Sequence, residues 1–302
     1  MTLNIWRFTD GKPGHDSQSI GLCSAIEKLK TCQRFDIAVD SPLTNICNLL
    51  LKKFPRGKNL PDPNIIIGAG HKTHLPMLSA RHARNGKIIV LMKPSLPLSF
   101  FDVCIIPEHD TPPLKDNVIT TIGALNPVQY NDNKSNDFGL ILLGGPSKHY
   151  QWNEASIINQ IKTIVSTNKD TRWMIADSPR TPKETLTIID KLEYENIEVL
   201  DYSKTQTGAI QEHIYKAKFI WVSLDSVSMI YESLSSGASV GLLETPQIRD
   251  NRVNRAIRKL LAHDQLTMFS VWQKTTALKP NTLKLNEANR CSLLLSERDL
   301  LG

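Results

Sequence analysis

The chain has 302 residues, a formal charge of +6, 40% hydrophobic and 22% charged residues, a globular composition that excludes disordered and fibrous classes. No apolar run approaches the roughly 18 to 20 residues that span a bilayer, and "MTLNIWRF" lacks a basic segment followed by an apolar one, so a cytoplasmic location is expected. The positive balance favours an anionic partner, yet no Lys/Arg run interleaves with aromatics and no helix-turn-helix or zinc-finger spacing occurs, so no nucleic-acid partner is expected.

In chain order, short Ile- and Val-rich runs alternate with longer stretches of helical period, the pattern of parallel sheets with crossover helices. Strands are expected at Leu3–Phe8, Phe35–Val39, Asn64–Ile67, Lys87–Leu91, Asp102–Ile106 and Val118–Thr121. The Asn- and Asp-rich stretch "ALNPVQYNDNKSND", Ala124–Asp137, interrupts the pattern. It restarts with "FGLILLGG", and further strands are expected at Phe138–Leu143, Trp173–Ala176, Glu198–Leu200, Phe219–Ser223 and Ser239–Leu243. Helical patterns cover Glu154–Thr167, Pro182–Tyr194, Ala209–Ala217 and Val227–Ser236. The expected fold class is α/β, with two Rossmann-like doubly wound domains at 1–128 and 136–275 and a tail, 276–302, that the sequence does not place. Five cysteines, odd in number and without C-x-x-C spacing, read as buried thiols in a reducing compartment, and no metal site is expected.

In such sheets ligands bind beyond the carboxyl ends of the strands, so the loops after strands hold the candidates. The first, "TDGKPGHDSQ", is not a Walker loop, because Pro13 follows Lys12 and has no N–H for a phosphate. It offers His15 as a general base, Gly11 and Gly14 leaving space for a substrate, and Asp10 or Asp16 to orient the ring. Alternatively Asp16 or Ser17 caps a helix starting after His15, and the histidine is a solvated turn residue. "GAGHKTH" sets Gly70 and His71 before a helix N-terminus near Thr73, suited to an anionic group. "PEHD" sets Glu108, His109 and Asp110 at a strand end, either as a sugar-binding or acid/base group or as a solvated turn.

In the second half, "GGPSKHY" could turn backbone N–H groups of Gly144 and Gly145, with Ser147 or Lys148, toward a phosphate. "DSPRTP" combines Arg180 and Thr181 with a helix opened by Pro182, an anion site or else a cap with a surface arginine. "VSLDSVSMIYESLSSGASVGLLET" supplies Asp225, Ser226 and Ser228 at a helix start and Glu232 about two turns on, where a carboxylate can accept from both hydroxyls of a ribose. Met229 falls at core spacing on that helix and is carried with the donor-side residues.

The segment Asp225–Val240 resembles the donor-binding element of GT-B glycosyltransferases, whose two Rossmann-like domains face a cleft. Together with "TDGKPGHDSQSIGL", "KPSLPLSFFDVCIIPEHD", "TIGALN", "LLGGPSKHY" and "SPRTP", it resembles the family named for the mitochondrial fission factor Elm, over about residues 3 to 245. The resemblance implies a nucleotide-diphosphate sugar, UDP-type favoured, on the second domain and the acceptor on the first, with no cofactor. Glu232 matches the ribose-binding glutamate, Ser226 and Ser228 the diphosphate side, and Gly14 and His15 the end of a loop facing the acceptor. Lys12, Gly14, Gly70, His71, Lys93 and Asp110 are then acceptor-side residues; His15, Asp10, Glu108 and His109 are the catalytic candidates. Ala238 and Ser239 replace the usual x-P after Gly237, Ser233 stands where Ala is common, and Pro179 stands where a further arginine is frequent.

The expected function is metal-independent, inverting transfer of a sugar to a cell-envelope glycan or lipid-linked acceptor, with peripheral contact at the cytoplasmic face of the inner membrane. Two alternatives stay open: a non-catalytic adaptor of the same fold, as the eukaryotic side of the family suggests, and a nucleotide-sugar epimerase using Glu108 or His109.

Overall fold

The computed structural model describes residues 2–204, 209–250 and 252–301. Among them the chain forms two units, Met1–Pro127 with Asn286–Gly302, and Val128–Leu285. In the first, β1 (Leu3–Thr9), β2 (Cys32–Ala38), β3 (Ile65–Ala69), β4 (Lys87–Leu91), β5 (Val103–Pro107) and β6 (Val118–Thr121) make one all-parallel sheet in the order β2-β1-β3-β4-β5-β6. The crossovers are α1 (Pro13–Leu29), α2 (Pro42–Leu50) and α3 (His74–Arg84).

Alternation along each strand divides the core. Ile5, Ile65, Ile67, Ile89 and Leu91 pack on one face with Leu22 and Ile26 of α1. Trp6, Ile66, Ile88, Val90 and Cys104 pack on the other with Met77 of α3. Burial on both faces explains why these strands read as continuous apolar runs.

The second unit contains β7 (Ser135–Leu142), α4 (Glu154–Thr167), β8 (Arg172–Ala176), α5 (Lys183–Asp190), β9 (Ile197–Leu200), α6 (Ala209–Lys216), β10 (Ala217–Ser223), α7 (Val227–Ser235), β11 (Ser239–Leu243), α8 (Arg252–Ala262), β12 (Thr267–Met268) and α9 (Phe269–Thr275). Its parallel sheet runs β12-β11-β10-β7-β8-β9. Leu140, Leu142, Val222 and Leu242 face α7 through Ile230 and Leu234, while Ile141, Trp173, Ile175 and Trp221 face α4 through Ile157 and Ile161.

The segment 276–302, unplaced by sequence, divides between the units. Residues through Leu285 stay with the second, and α10 (Glu287–Glu297) returns to the first. There Cys291, Leu295 and Leu301 join the core cluster of Leu22, Cys23 and Ile26. The short edge strand β12 also escaped the sequence reading, because two residues carry no periodicity.

Candidate functional site

In the first unit the strand order reverses between β1 and β3, so the ligand crevice of such a sheet lies beyond the carboxyl ends of those two strands. Two nominated loops meet there. Both carboxylate oxygens of Asp10 lie 3.1 Å from His15 Nδ1, and Oδ1 also accepts the Lys12 N–H at 3.3 Å. The Asp10 side chain is fully buried, whereas the His15 ring keeps 17% of its surface exposed. A carboxylate can only accept, so it takes Nδ1–H and leaves the lone pair on Nε2.

The helix does not begin after His15, as expected. It begins at Pro13, with no side-chain cap at Lys12, which puts His15 in its first turn and rules out Asp16 and Ser17 as caps. Proline at the first helical position has its φ preset and no N–H to leave unpaired. Asp16 instead accepts from Arg7 at 3.1 Å and from Thr9, so Asp10 is the residue that orients the ring. Buried Arg7 also grips Asp36 through two bonds of 2.7 and 2.6 Å and reaches Ser19 at 3.1 Å. Its guanidinium holds the Asp36 carboxyl below the usual carboxylate range. This network ties β1, β2 and α1 together beside the loop.

Gly70 follows β3 with a φ of +82°, and a Cβ there would lie 2.3 Å from His15 Cε1. The ring therefore lies directly against the Gly70 backbone, an approach only glycine permits. Gly14 is different, since a Cβ there would meet nothing within 4 Å. Lys12 and His71 are exposed, after β1 and β3 respectively.

His74, not nominated, is buried with Nδ1 3.3 Å from Ser95 Oγ and its ring edge-on to Phe101. Burial, reinforced by His71, pushes it down to about 4. Lys93 lies beside the loop that carries Glu108, His109 and Asp110. Lys93 Nζ donates to the Asp110 carbonyl at 3.1 Å, and His109 Nε2 lies 3.8 Å from Asp110 Oδ1. Strand β5, which ends at this loop, is three places from β1 in the sheet, or about 14 Å at ordinary strand spacing.

The second sheet reverses between β7 and β10, and the loops after those strands interlock. Gly144 N–H donates to Ser223 Oγ at 2.8 Å and Gly145 N–H to Asp225 Oδ2 at 2.9 Å. Both N–H groups expected to face a phosphate are thus turned into the protein. A Cβ on Gly144 would lie 2.1 Å from Asp225 Oδ2, which explains the glycine by crowding. Ser147 Oγ likewise accepts from His149 and Tyr150 N–H within its own turn, and Thr181 Oγ1 bonds the Leu143 and Gly144 carbonyls.

Arg180 completes the cluster. Its Nη2 lies 2.8 Å from both Asp225 Oδ2 and Ser226 Oγ, and Nη1 donates to the Gly145 carbonyl at 3.1 Å. The Asp225 side chain is fully buried, and Arg180 keeps 42% of its side-chain surface exposed. Asp225 Oδ1, buried, has no hydrogen-bond partner among the described residues. Ser226 is the N-cap of α7 and gives that helix no side-chain cap, so its first turn presents positive dipole toward the Arg180 side. On α7, Ser228 is exposed and Glu232, one turn on, half-buried, while Ile230, Tyr231, Ser233 and Leu234 are buried. Ser228 and Glu232 therefore share its accessible face. Met229 is half-buried against the core. Lys148 is exposed.

Sequence alone missed Ser178 and Ser223, which, with Thr181, hold the Gly144 loop: Ser178 Oγ donates to the Gly144 carbonyl at 3.2 Å. Small hydroxyl residues after strands are too common to signal this. In each unit, then, two or more of the nominated loops meet where the sheet order reverses. One site offers a carboxylate-oriented imidazole, the other a guanidinium, a helix N-terminus and a carboxylate further along the same helix.

Comparison with known proteins agrees with this architecture. The protein RP120 of Rickettsia prowazekii, described as uncharacterized, is 23% identical over 350 residues, covering 97% of this chain and 98% of its own. The UDP-GlcNAc 2-epimerase of Neisseria meningitidis, solved bound to UDP-GlcNAc, superposes with a TM-score of 0.58 at 11% identity, covering 100% of both chains. MurG of Acinetobacter baumannii gives 0.50 at 15% identity, covering 99% of this chain and 92% of its own. The fold is GT-B-like, shared by glycosyltransferases and UDP-GlcNAc epimerases. Residues 13–298 match the family described as Mitochondrial fission ELM1, and the chain belongs to that family.

Proposed function

We propose that the protein is a glycosyltransferase that moves a sugar from a UDP-type nucleotide-diphosphate donor to a cell-envelope glycan or lipid-linked acceptor. The observation that carries this reading is the Arg180, Asp225 and Ser226 cluster at the start of α7. Asp225 fixes one edge of the guanidinium, leaving its exposed surface for the diphosphate, and the uncapped N-terminus of α7 adds N–H donors. Glu232 accepts from the ribose hydroxyls, and Lys148 adds a mobile cation. Gly144, Gly145, Thr181 and Asp225 shape the loop instead of touching the phosphates. The Neisseria neighbour's bound UDP-GlcNAc supports the UDP class.

On the first unit, His15 Nε2 takes the acceptor's hydroxyl proton while Asp10 stabilises the imidazolium that forms. The acceptor oxygen attacks the anomeric carbon, the bond to the diphosphate oxygen breaks, and inversion follows from the single displacement. The departing charge falls on Arg180, Lys148 and the helix dipole.

The test is product analysis with UDP-sugars and an envelope lipid extract. Acceptor-dependent UDP release, reduced by about 10² to 10⁴-fold in His15→Ala, is the expected result. Conversion of the sugar to an epimer without acceptor would replace this reading with the epimerase. No turnover and no nucleotide binding by folded protein would leave the adaptor.

A further inference from the structure

Helix α2 exposes most of its apolar side chains. It packs against α3, yet the residue it buries is polar: Asn45, whose amide donates to the Asp40 carbonyl at 2.9 Å. Leu49 packs half-buried against the core, but the other large apolar side chains point outward, with Leu43 76%, Ile46 44% and Leu50 77% exposed, followed by Leu51 at 63%. Positions 43, 46 and 50 share one helical face. Four aliphatic side chains within nine residues form a contiguous group, unlike scattered surface hydrophobics. Cations follow at once: Lys52, Lys53 and Lys58 are exposed and have no ion-pair partner among the described residues, whereas Asp40 is engaged by Arg56.

We propose that α2 and the turn after it dock on an anionic lipid surface, with Leu43, Ile46, Leu50 and Leu51 entering the interface and Lys52, Lys53 and Lys58 meeting the headgroups. The charge decides the occupant. An apolar ridge closed by unpaired lysines complements a bilayer with anionic headgroups, and two identical copies would bring like charges together. No described helix is long and apolar enough to cross a membrane, so the contact is peripheral. The inference does not depend on the glycosyltransferase reading.

Co-sedimentation of the full chain with vesicles of phosphatidylcholine alone, or of equal parts phosphatidylcholine and phosphatidylglycerol, tests it. Partitioning into the anionic vesicles is expected to exceed that into neutral ones by about tenfold or more, and to fall about as far in high salt. Leu43→Ser/Leu50→Ser/Leu51→Ser and, independently, Lys52→Glu/Lys53→Glu are expected to abolish the preference with unchanged circular dichroism. Equal binding to both vesicles, or full binding by both folded variants, would overturn the proposal. So would a dimeric wild type made monomeric by the leucine substitutions, which would assign the face to a second copy.

Discussion

At the residue scale His15 is held between the Asp10 carboxylate and the backbone of Gly70. Gly70→Ala forces either the ring or the loop to move, since its Cβ would fall 2.3 Å from Cε1 in a left-handed backbone conformation. Turnover is expected to drop by on the order of 10²-fold, with UDP affinity unchanged, as steady-state kinetics beside calorimetry would show. His74 gives a pH prediction. Its value is about 4 folded against 6.5 unfolded, lowered by burial, so the unfolded chain binds the proton first as pH falls. Its contribution is complete above about 6.5 and is lost progressively toward about 4, on the order of 3 kcal/mol in all. Chemical denaturation across that window should show a flatter decline for His74→Phe than for the wild type.

The glycine-bracketed histidine after β1 was legible because turn residues at a strand's carboxyl end are a local pattern. Its surroundings were not. Asp10 and Asp16 were equal candidates until Arg7 and Thr9 claimed Asp16, and the Arg7 to Asp36 pair joins residues 29 apart across neighbouring strands.

At the element scale, most strands were readable because apolar runs buried on both sheet faces leave little ambiguity. Helix α2 was not anticipated, since Leu43, Ile46 and Leu50 face solvent while Asn45 is buried and Leu49 alone of its leucines packs inward, which blurs the pattern that marks a core-facing helix. Helix α10 was unplaceable because its partner, α1, lies more than 250 residues earlier in the sequence. Its role in the first unit is nonetheless substantial. Cys291, Leu295 and Leu301 are buried, Glu287 accepts from Ile122 N–H at 2.9 Å, and Arg290 donates to the Thr120 carbonyl at 2.6 Å. Truncation after Leu285 is expected to destabilise the first unit by about 5 kcal/mol, from three buried side chains at roughly 1.5 to 3 kcal/mol each. Urea unfolding of the shortened chain would register it as a lower midpoint.

At the scale of the whole molecule, family membership and fold leave the chemistry open, because glycosyltransferases and UDP-GlcNAc epimerases share this architecture. What separates an active enzyme from an adaptor is whether the α7 site takes a nucleoside diphosphate. The sequence nominated Arg180, Ser226 and Glu232 alongside Gly145, Ser147 and Thr181, and could not show that the Gly145 N–H, the Ser147 hydroxyl and the Thr181 hydroxyl hold the loop together. Titration calorimetry of UDP into the wild type and Glu232→Ala is the most direct test. Saturable binding is predicted, weakened about 10- to 100-fold in the variant by loss of one or two charge-assisted bonds to the ribose, with its thermal midpoint preserved. A folded wild type that binds no nucleoside diphosphate, or a variant that binds UDP as tightly as the wild type, would contradict the account.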